Sequence, residues 1–316
     1  MGINNPPKIY INKVNEDWII DRVRGEWIEH QNSVSKFAFN ADGVWLIAPW
    51  NVSNKKIKRF GSKKLIYSIY HIDETKFDSK EEKKFRDLDK YVDAYHVISL
   101  NTKRQIEHLT KKKIYSIPFW INDKIWFPME NKSKLREKYN IDQSDYVIGS
   151  FQRDTEGADL KSPKLSKGPD RFVKLMHEVK QKHKNLHVLL AGKRRQYIIS
   201  KLKENNIKYT YYEMPAIENL NELYNCLDLY IVTSRYEGGP QSIFECALTK
   251  TPILSTNVGV APEVLTKDSI FEMENFSSAT YDIEFALKSA QKYIIPNGFN
   301  DFNNMFKEVF GKEDEK

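Results

Sequence analysis

The sequence predicts an α/β protein of two domains. Short apolar runs rich in β-branched residues alternate along the chain with amphipathic helical patterns, the mark of strands separated by helices. At 316 residues the chain is long enough for two domains of ordinary size, and 40% hydrophobic residues with 17 Phe, 17 Tyr and 6 Trp can fill two cores.

In the first half, strands are expected near Lys8–Asn12, Val44–Trp50, Leu65–Ile72, Ala94–Ser99 and Ile114–Phe119. The second half adds strands near Tyr146–Phe151, His187–Ala191, Tyr209–Tyr212, Leu229–Thr233, Pro252–Ser255 and Ser269–Phe271. A helix is expected over Asp17–His30, with Ile20, Val23 and Trp27 on one face and the Trp serving as core. The segment Trp120–Asp145, with Pro128 and many charges, is expected to connect the domains. The charged tail Gly311–Lys316 is expected to fray.

The most informative stretch is Glu237-Gly-Gly-Pro-Gln-Ser-Ile-Phe-Glu245, which follows the apolar run "LDLYIVTSR". Pro240 suits a helix start, and Gly238-Gly239 let the backbone turn sharply and approach a ligand closely. Ile243, Phe244, Ala247 and Leu248 form the apolar stripe, leaving Gln241, Ser242 and Glu245 on the other face beside Glu237. A loop at the C-terminal end of a parallel strand opens into the ligand crevice, and the helix N–H groups after it attract anions such as a diphosphate. The plain alternative is that Ser242 and Glu245 form a capping box, which accounts for Glu245 and not for Glu237.

The Glu, seven residues, Glu pattern within "EGGPQSIFECA" resembles the donor-site motif of retaining family-four glycosyltransferases of the GT-B fold (glycosyl transferases group 1). The downstream "TPILSTNVGVAPEVL", with Gly259 and Glu263, is similar to the strand, glycine turn and Pro-Glu of that family. The resemblance implies two Rossmann-like α/β domains facing each other across a cleft. Residues 1–125 would form the acceptor-side domain, 126–300 the nucleotide-sugar domain, and 301–316 a C-terminal helix and tail. It also implies that Glu237 lies against the donor sugar near its anomeric carbon. Glu245 would take the ribose hydroxyls, and the backbone between them would meet the diphosphate. The nucleotide base is expected near Gly192 and "YYEMPAIENL".

A departing nucleoside diphosphate concentrates negative charge and needs fixed cations or a metal. Arg153 follows the strand-like "YVIGSF", and Lys167-Gly168-Pro169 opens a helical pattern, resembling the family's phosphate-holding arginine and lysine-glycine pair. The loop between them, "DTEGADLKSPKLS", is longer than in the family and adds Lys161 and Lys164. Lys167 is the expected phosphate ligand because it directly precedes a helix start; taken singly, each lysine also reads as part of a solvated basic loop. His71, at the end of a first-half strand, resembles the histidine that similar proteins direct at the donor sugar, with Asp73 as a weaker neighbour. The family's glycine-rich first loop is missing: "KIYINKVNEDWIIDRV" has no glycine, and Asn15 or Asp17 is the expected helix cap.

No Gly-x-Gly-x-x-Gly, phosphate loop or paired zinc-type histidines support a dehydrogenase, kinase-like or metalloprotease reading. Asp87-Leu88-Asp89 lies inside a helical run and reads as a solvated face, so no metal is assigned; Arg153 and Lys167 make one unnecessary. No cofactor is expected beyond the donor substrate. Cys226 and Cys246 read as reduced core thiols. The chain has no apolar run long enough to span a bilayer and no signal-like N-terminus, so a cytoplasmic protein is expected.

Residues 1–125 hold 23 Lys+Arg against 16 Asp+Glu, and residues 126–316 hold 27 of each, so the whole +7 excess lies in the first half. "NKKIKRFGSKK" is its densest part and Lys111-Lys112-Lys113 its second cluster. An anionic membrane surface or acidic glycan would be attracted there, and simple solubility is the competing reading. The expected activity is metal-independent transfer of a sugar, with retention, from a nucleotide-diphosphate sugar to a glycan, lipid-linked or other hydroxyl acceptor. Surface polysaccharide or glycolipid synthesis would be its setting, and no nucleic-acid partner is expected. The alternatives are a non-catalytic sugar-nucleotide or glycan-binding protein, or a phosphorylase or epimerase, on the same fold.

Overall fold

The computed structural model describes residues 6–16, 19–60 and 62–311. Asp17 and residues 312–316, a candidate cap and most of the expected frayed tail, lie outside them. The chain divides into two compact units, Met1–Trp120 with Tyr293–Lys316, and Ile121–Lys292.

The first unit is built on a parallel sheet of β1 (Ile9–Ile11), β2 (Val34–Ser35), β3 (Gly43–Leu46), β4 (Lys64–Ile69), β5 (Ala94–Val97) and β6 (Lys113–Ser116). Their order is β2-β1-β3-β4-β5-β6. Successive side chains of a strand point to opposite faces, and both faces here are covered, which is why these strands read as continuous apolar runs. Trp45 and Ile66 join one buried cluster, while Val44, Leu46, Leu65, Tyr95 and Val97 join the other. β2 has only two residues, too short to give a sequence pattern.

The helix Ile19–His30 buries Val23 and Trp27 on its core face, as its periodicity requires. Trp27 packs edge-on against Trp45, Phe299 and Phe306 and lies 5.4 Å from Trp120. Phe302 and Phe306 belong to the C-terminal helix Asn300–Phe310, so the end of the chain supplies part of the first unit's core. The return to this unit begins at Tyr293, ahead of the boundary at 300 expected from sequence.

The second unit's strands are β7 (Tyr146–Ser150), β8 (Leu186–Ala191), β9 (Lys208–Tyr212), β10 (Leu229–Val232) and β11 (Ile253–Ser255), all parallel. The order β9-β8-β7-β10-β11 is the Rossmann arrangement, with strand order reversing between β7 and β10. The expected strand at Ser269–Phe271 reduces to one bridge, Ser255 to Ile270, because a 3-10 turn occupies Lys267–Ser269. The expected connection Trp120–Asp145 is not a free linker. Trp126 is buried edge-on against Tyr224, and Arg136 of the helix Lys132–Lys138 donates to the Cys226 carbonyl and to Asp228. Both cysteines are buried and free, as expected.

Candidate active site

The site is assembled where the order of the second sheet reverses. In such sheets the loops from the two strands flanking the reversal diverge and leave a crevice at their C-terminal ends. β7 there leads into Phe151, Gln152 and Arg153, and β10 leads into Thr233, Ser234 and Glu237.

Two glycines seat the loops on the end of β10. Gly168 has φ +62°, and a Cβ there would collide with the Thr233 carbonyl; the Thr233 hydroxyl also donates to the Gly168 carbonyl at 2.8 Å. Gly259 has φ +51°, and a Cβ there would strike the backbone of Gly238. The 3-10 turn Leu165–Lys167 is further tied to the strand exit, because the amides of Arg235 and Tyr236 both donate to the Ser166 carbonyl, at 2.8 and 3.1 Å. Arg235 forms a bidentate pair with Asp170 in the first turn of the helix Pro169–Lys182, which fixes the helix start against the same loop.

This scaffold places the Lys167 ammonium on the Glu237 carboxylate. The two side chains are only 19% and 14% exposed. Gln152 donates to the Lys167 carbonyl at 3.0 Å, and the Ser234 hydroxyl lies 3.4 Å from Glu237. Thus two residues singled out separately in the sequence form one ion pair.

The long loop after Arg153 folds as a small hairpin. Thr155 bridges Pro163, the Glu156 amide donates to Ser162, and the Lys164 amide donates to Asp154. At its base the buried Arg195 faces Asp154 at 3.4 Å, and burial outweighs the guanidinium to hold the Asp154 carboxyl up at about 6. Arg153 donates from Nε to the Thr155 carbonyl at 2.8 Å. Lys161 is exposed near the tip, whereas Lys164 is half-buried and three residues before Lys167 across the 3-10 turn, a spacing at which side chains eclipse. Burial, then the charges of Lys167 and Arg153, lower the Lys164 pKa.

The helix expected after Pro240 runs Gln241–Thr249, with Pro240 as its N-cap residue. The expected stripe is buried, but so are Gln241 and Glu245, each 4% exposed, because the neighbouring helix Ile217–Asn225 covers that face. Glu245 accepts from the Tyr224 hydroxyl at 2.7 Å, and no side chain caps the helix, so the capping-box alternative fails. Ser242 stays half-buried at the helix start. Gln241 Oε1 is buried with no hydrogen-bond partner among the described residues, an acceptor beside the Gly238-Gly239 loop that a ligand donor would satisfy. Gly192, with φ +95°, ends β8; its carbonyl accepts from the Tyr211 hydroxyl at 2.8 Å.

In the first unit, His71 follows β4 and is half-buried. Both its neighbours are clamped by side chains of the helix Leu100–Ile106: Thr102 donates to the Tyr70 carbonyl at 2.7 Å, and Gln105 exchanges two 3.0 Å bonds with the Ile72 backbone. Asp73 is engaged in a turn with Thr75, through its amide and hydroxyl. Asn15, the other candidate cap, adopts φ +59° and its amide donates to Asp21, a left-handed turn made without glycine.

Residues 132–298 match the family model described as Glycosyl transferases group 1. The chain belongs to the glycosyl transferases group 1 family. No curated protein matches it. This group 1 glycosyltransferase has the GT-B class of α/β fold, as solved structures show. HepE of Anabaena, solved with UDP and glucose, superposes with a TM-score of 0.73 at 11% identity, over 95% of this chain and 99% of that one. A glycosyltransferase of Rickettsia africae gives 0.60 at 17% identity, over 96% and 85%. Sucrose-phosphate synthase of Thermosynechococcus elongatus gives 0.60 at 14% identity, over 92% and 75%.

Within the group 1 glycosyltransferase, the residue left unassigned by sequence reasoning is Lys164. Its signal is the length of the hairpin loop, which returns the chain beside Arg153 before Lys167. Among the described residues, no group of three His, Cys, Asp or Glu side chains is arranged to hold a metal ion, and no helix is long and apolar enough to cross a membrane.

Proposed function

We propose that this glycosyltransferase transfers a sugar, with retention, from a uridine-diphosphate sugar to a hydroxyl of a glycan or lipid-linked acceptor. The observation that carries the reading is the convergence of Arg153, Lys164 and Lys167 with Glu237 at the β7/β10 reversal. HepE, solved with UDP and with UDP-glucose, supports uridine as the nucleotide. Arg153 grips diphosphate oxygens through its forked guanidinium, and the two lysines add point charges. These three cations stabilise the departing UDP, the role that a metal takes in other transferases, so the reaction is proposed to need none.

In the transfer, the bond from the anomeric carbon to the diphosphate oxygen breaks and a bond to the acceptor oxygen forms on the same face. The acceptor proton passes to the departing phosphate oxygen. The Lys167 contact favours this path over a covalent intermediate, because a carboxylate held by an ammonium is a weaker nucleophile. Glu237 instead bears on the sugar and on the charge that develops at its anomeric carbon. Gln241, Ser242 and the Gly238-Gly239 backbone are proposed to contact the donor, Glu245 the ribose, and Gly192 the base. His71 is a further candidate for sugar recognition, supported by its clamped backbone.

The test is UDP release from a panel of uridine-diphosphate sugars with and without acceptor extracts, with the anomeric configuration of the product read by NMR. Acceptor-dependent release with retained configuration is expected. Tight donor binding without turnover on any acceptor would favour the binding protein, and release of sugar phosphate would favour a phosphorylase.

A further inference from the structure

The first unit carries a second feature that the donor chemistry does not use. A groove of about 670 Å³ lies between the segment after β2 and the helix Asn54–Arg59. Four aromatic rings, Tyr10, Phe37, Phe39 and Phe60, contribute to its walls. Five cationic side chains, Lys36, Lys55, Lys56, Arg59 and Lys63, stand around them, and among the described residues no carboxylate lines it.

Phe37 and Phe39 are 57% and 72% exposed and stack on each other at 5.4 Å with 20° between their planes. Phe37 precedes the 3-10 turn Ala38–Asn40 and Phe39 lies within it, and the Ser35 hydroxyl donates to the Phe37 carbonyl at 2.8 Å, so a fixed turn holds the pair outward. Lys63 donates to the Ala41 carbonyl at 2.8 Å, which closes the floor of the groove. Lys63 directly precedes β4, whereas His71 follows the opposite end of that strand. Lys36 and Phe37, in turn, directly follow the edge strand β2, so the groove runs along the β2 edge of the sheet.

We infer that this groove is a docking surface for an anionic lipid bilayer, with Phe37 and Phe39 entering the interface and Lys36, Lys55, Lys56 and Arg59 resting on lipid phosphates. A soluble anion would engage the cations but leave two phenyl rings in water. A bilayer covers both, because aromatic rings settle at the headgroup level while basic residues are drawn to the negative leaflet. Lys58, within the same basic run, is turned instead over the Tyr91 ring at 5.5 Å and lies outside the groove. The second cluster is partly neutralised, since Lys113 pairs with Glu308. The inference is independent of the donor-site reading.

Co-sedimentation with vesicles of phosphatidylcholine alone, and of phosphatidylcholine with phosphatidylglycerol, tests it. The wild type is expected to bind only the anionic vesicles, less so as salt rises. Phe37→Ser with Phe39→Ser is expected to weaken partitioning by at least about tenfold, as the loss of a buried ring implies. Lys55→Gln, Lys56→Gln and Arg59→Gln together are expected to abolish the preference for anionic lipid. UDP affinity, measured in parallel, should stay at the wild-type value in all variants and shows that they are folded. Absence of wild-type binding, equal binding by the Phe variant, or full competition by soluble glycerol phosphate would overturn the inference. So would a dimer seen in light scattering that the Phe variant loses, which would make the groove a contact between copies.

Discussion

The Lys167 ammonium rests on the Glu237 carboxylate, joining the turn before the helix Pro169–Lys182 to the exit of β10. In the proposed reaction the cation serves the diphosphate and the carboxylate serves the sugar. Glu237→Gln removes the charge proposed to act on the sugar and breaks the ion pair with Lys167. Turnover should fall on the order of a hundredfold, while UDP should bind at least as tightly as to the wild type. Calorimetry with UDP and a coupled UDP-release assay separate the two effects.

Arg153 and Lys167 are the residues proposed to stabilise the departing nucleotide. Arg153→Ala and Lys167→Ala are each expected to cost at least about tenfold in turnover, and EDTA is expected to leave wild-type activity unchanged. Activity lost in EDTA and restored by Mg²⁺ would show that the cations are insufficient.

Lys164 and Lys161 differ in position within one hairpin, and their variants should differ accordingly. Lys164→Gln is expected to weaken UDP binding by about tenfold, the effect of losing one charge-assisted contact. Lys161→Gln is expected to have no effect. Because burial, Lys167 and Arg153 lower the Lys164 pKa against the opposing pull of Glu237 and Glu156, UDP affinity should decline at a lower alkaline pH than an ordinary lysine would give. Lys164→Gln should remove that decline, as titration of UDP binding against pH will report.

His96 contributes a pH-dependent part of the stability. It is fully buried, its Nε2–H donates to the Ile117 carbonyl at 2.8 Å, and Nδ1 accepts from Ser68 at 2.9 Å. Burial pushes its pKa down to about 4. The unfolded imidazole takes a proton near the ordinary value while the folded one does not, so stability is lost as pH falls from about 6.5 to 4. The loss is on the order of 3 kcal/mol over that window. Asp154, held up at about 6, acts in the opposite sense over the same window, so the His96 contribution is read as a difference: the urea midpoint should respond less favourably to acidification in the wild type than in His96→Gln.

The parts of this structure written in the sequence are those whose cause is local. β7, β8 and β10 are buried on both faces, so apolar runs announce them. The Glu237 loop carries its own glycines, and Lys167 precedes its own helix. Other parts depend on residues distant in the chain. Glu245 reads as an open ligand-facing carboxylate, with a helix cap as the alternative, until Tyr224 covers it. The C-terminal helix reads as a detached end until Phe302 and Phe306 meet Trp27. Lys164 reads as a solvated loop lysine until the hairpin returns it beside Arg153.

The central claim, that the β7/β10 reversal binds and activates a uridine-diphosphate sugar, is tested most directly by titrating UDP into the wild type and into the Arg153→Ala, Lys167→Ala double variant. Saturable binding by the wild type, weakened by at least about a hundredfold in the double variant if each lost charge contributes about tenfold, is the predicted result. Equal affinity in the two proteins, or no binding of UDP by the wild type, would contradict it.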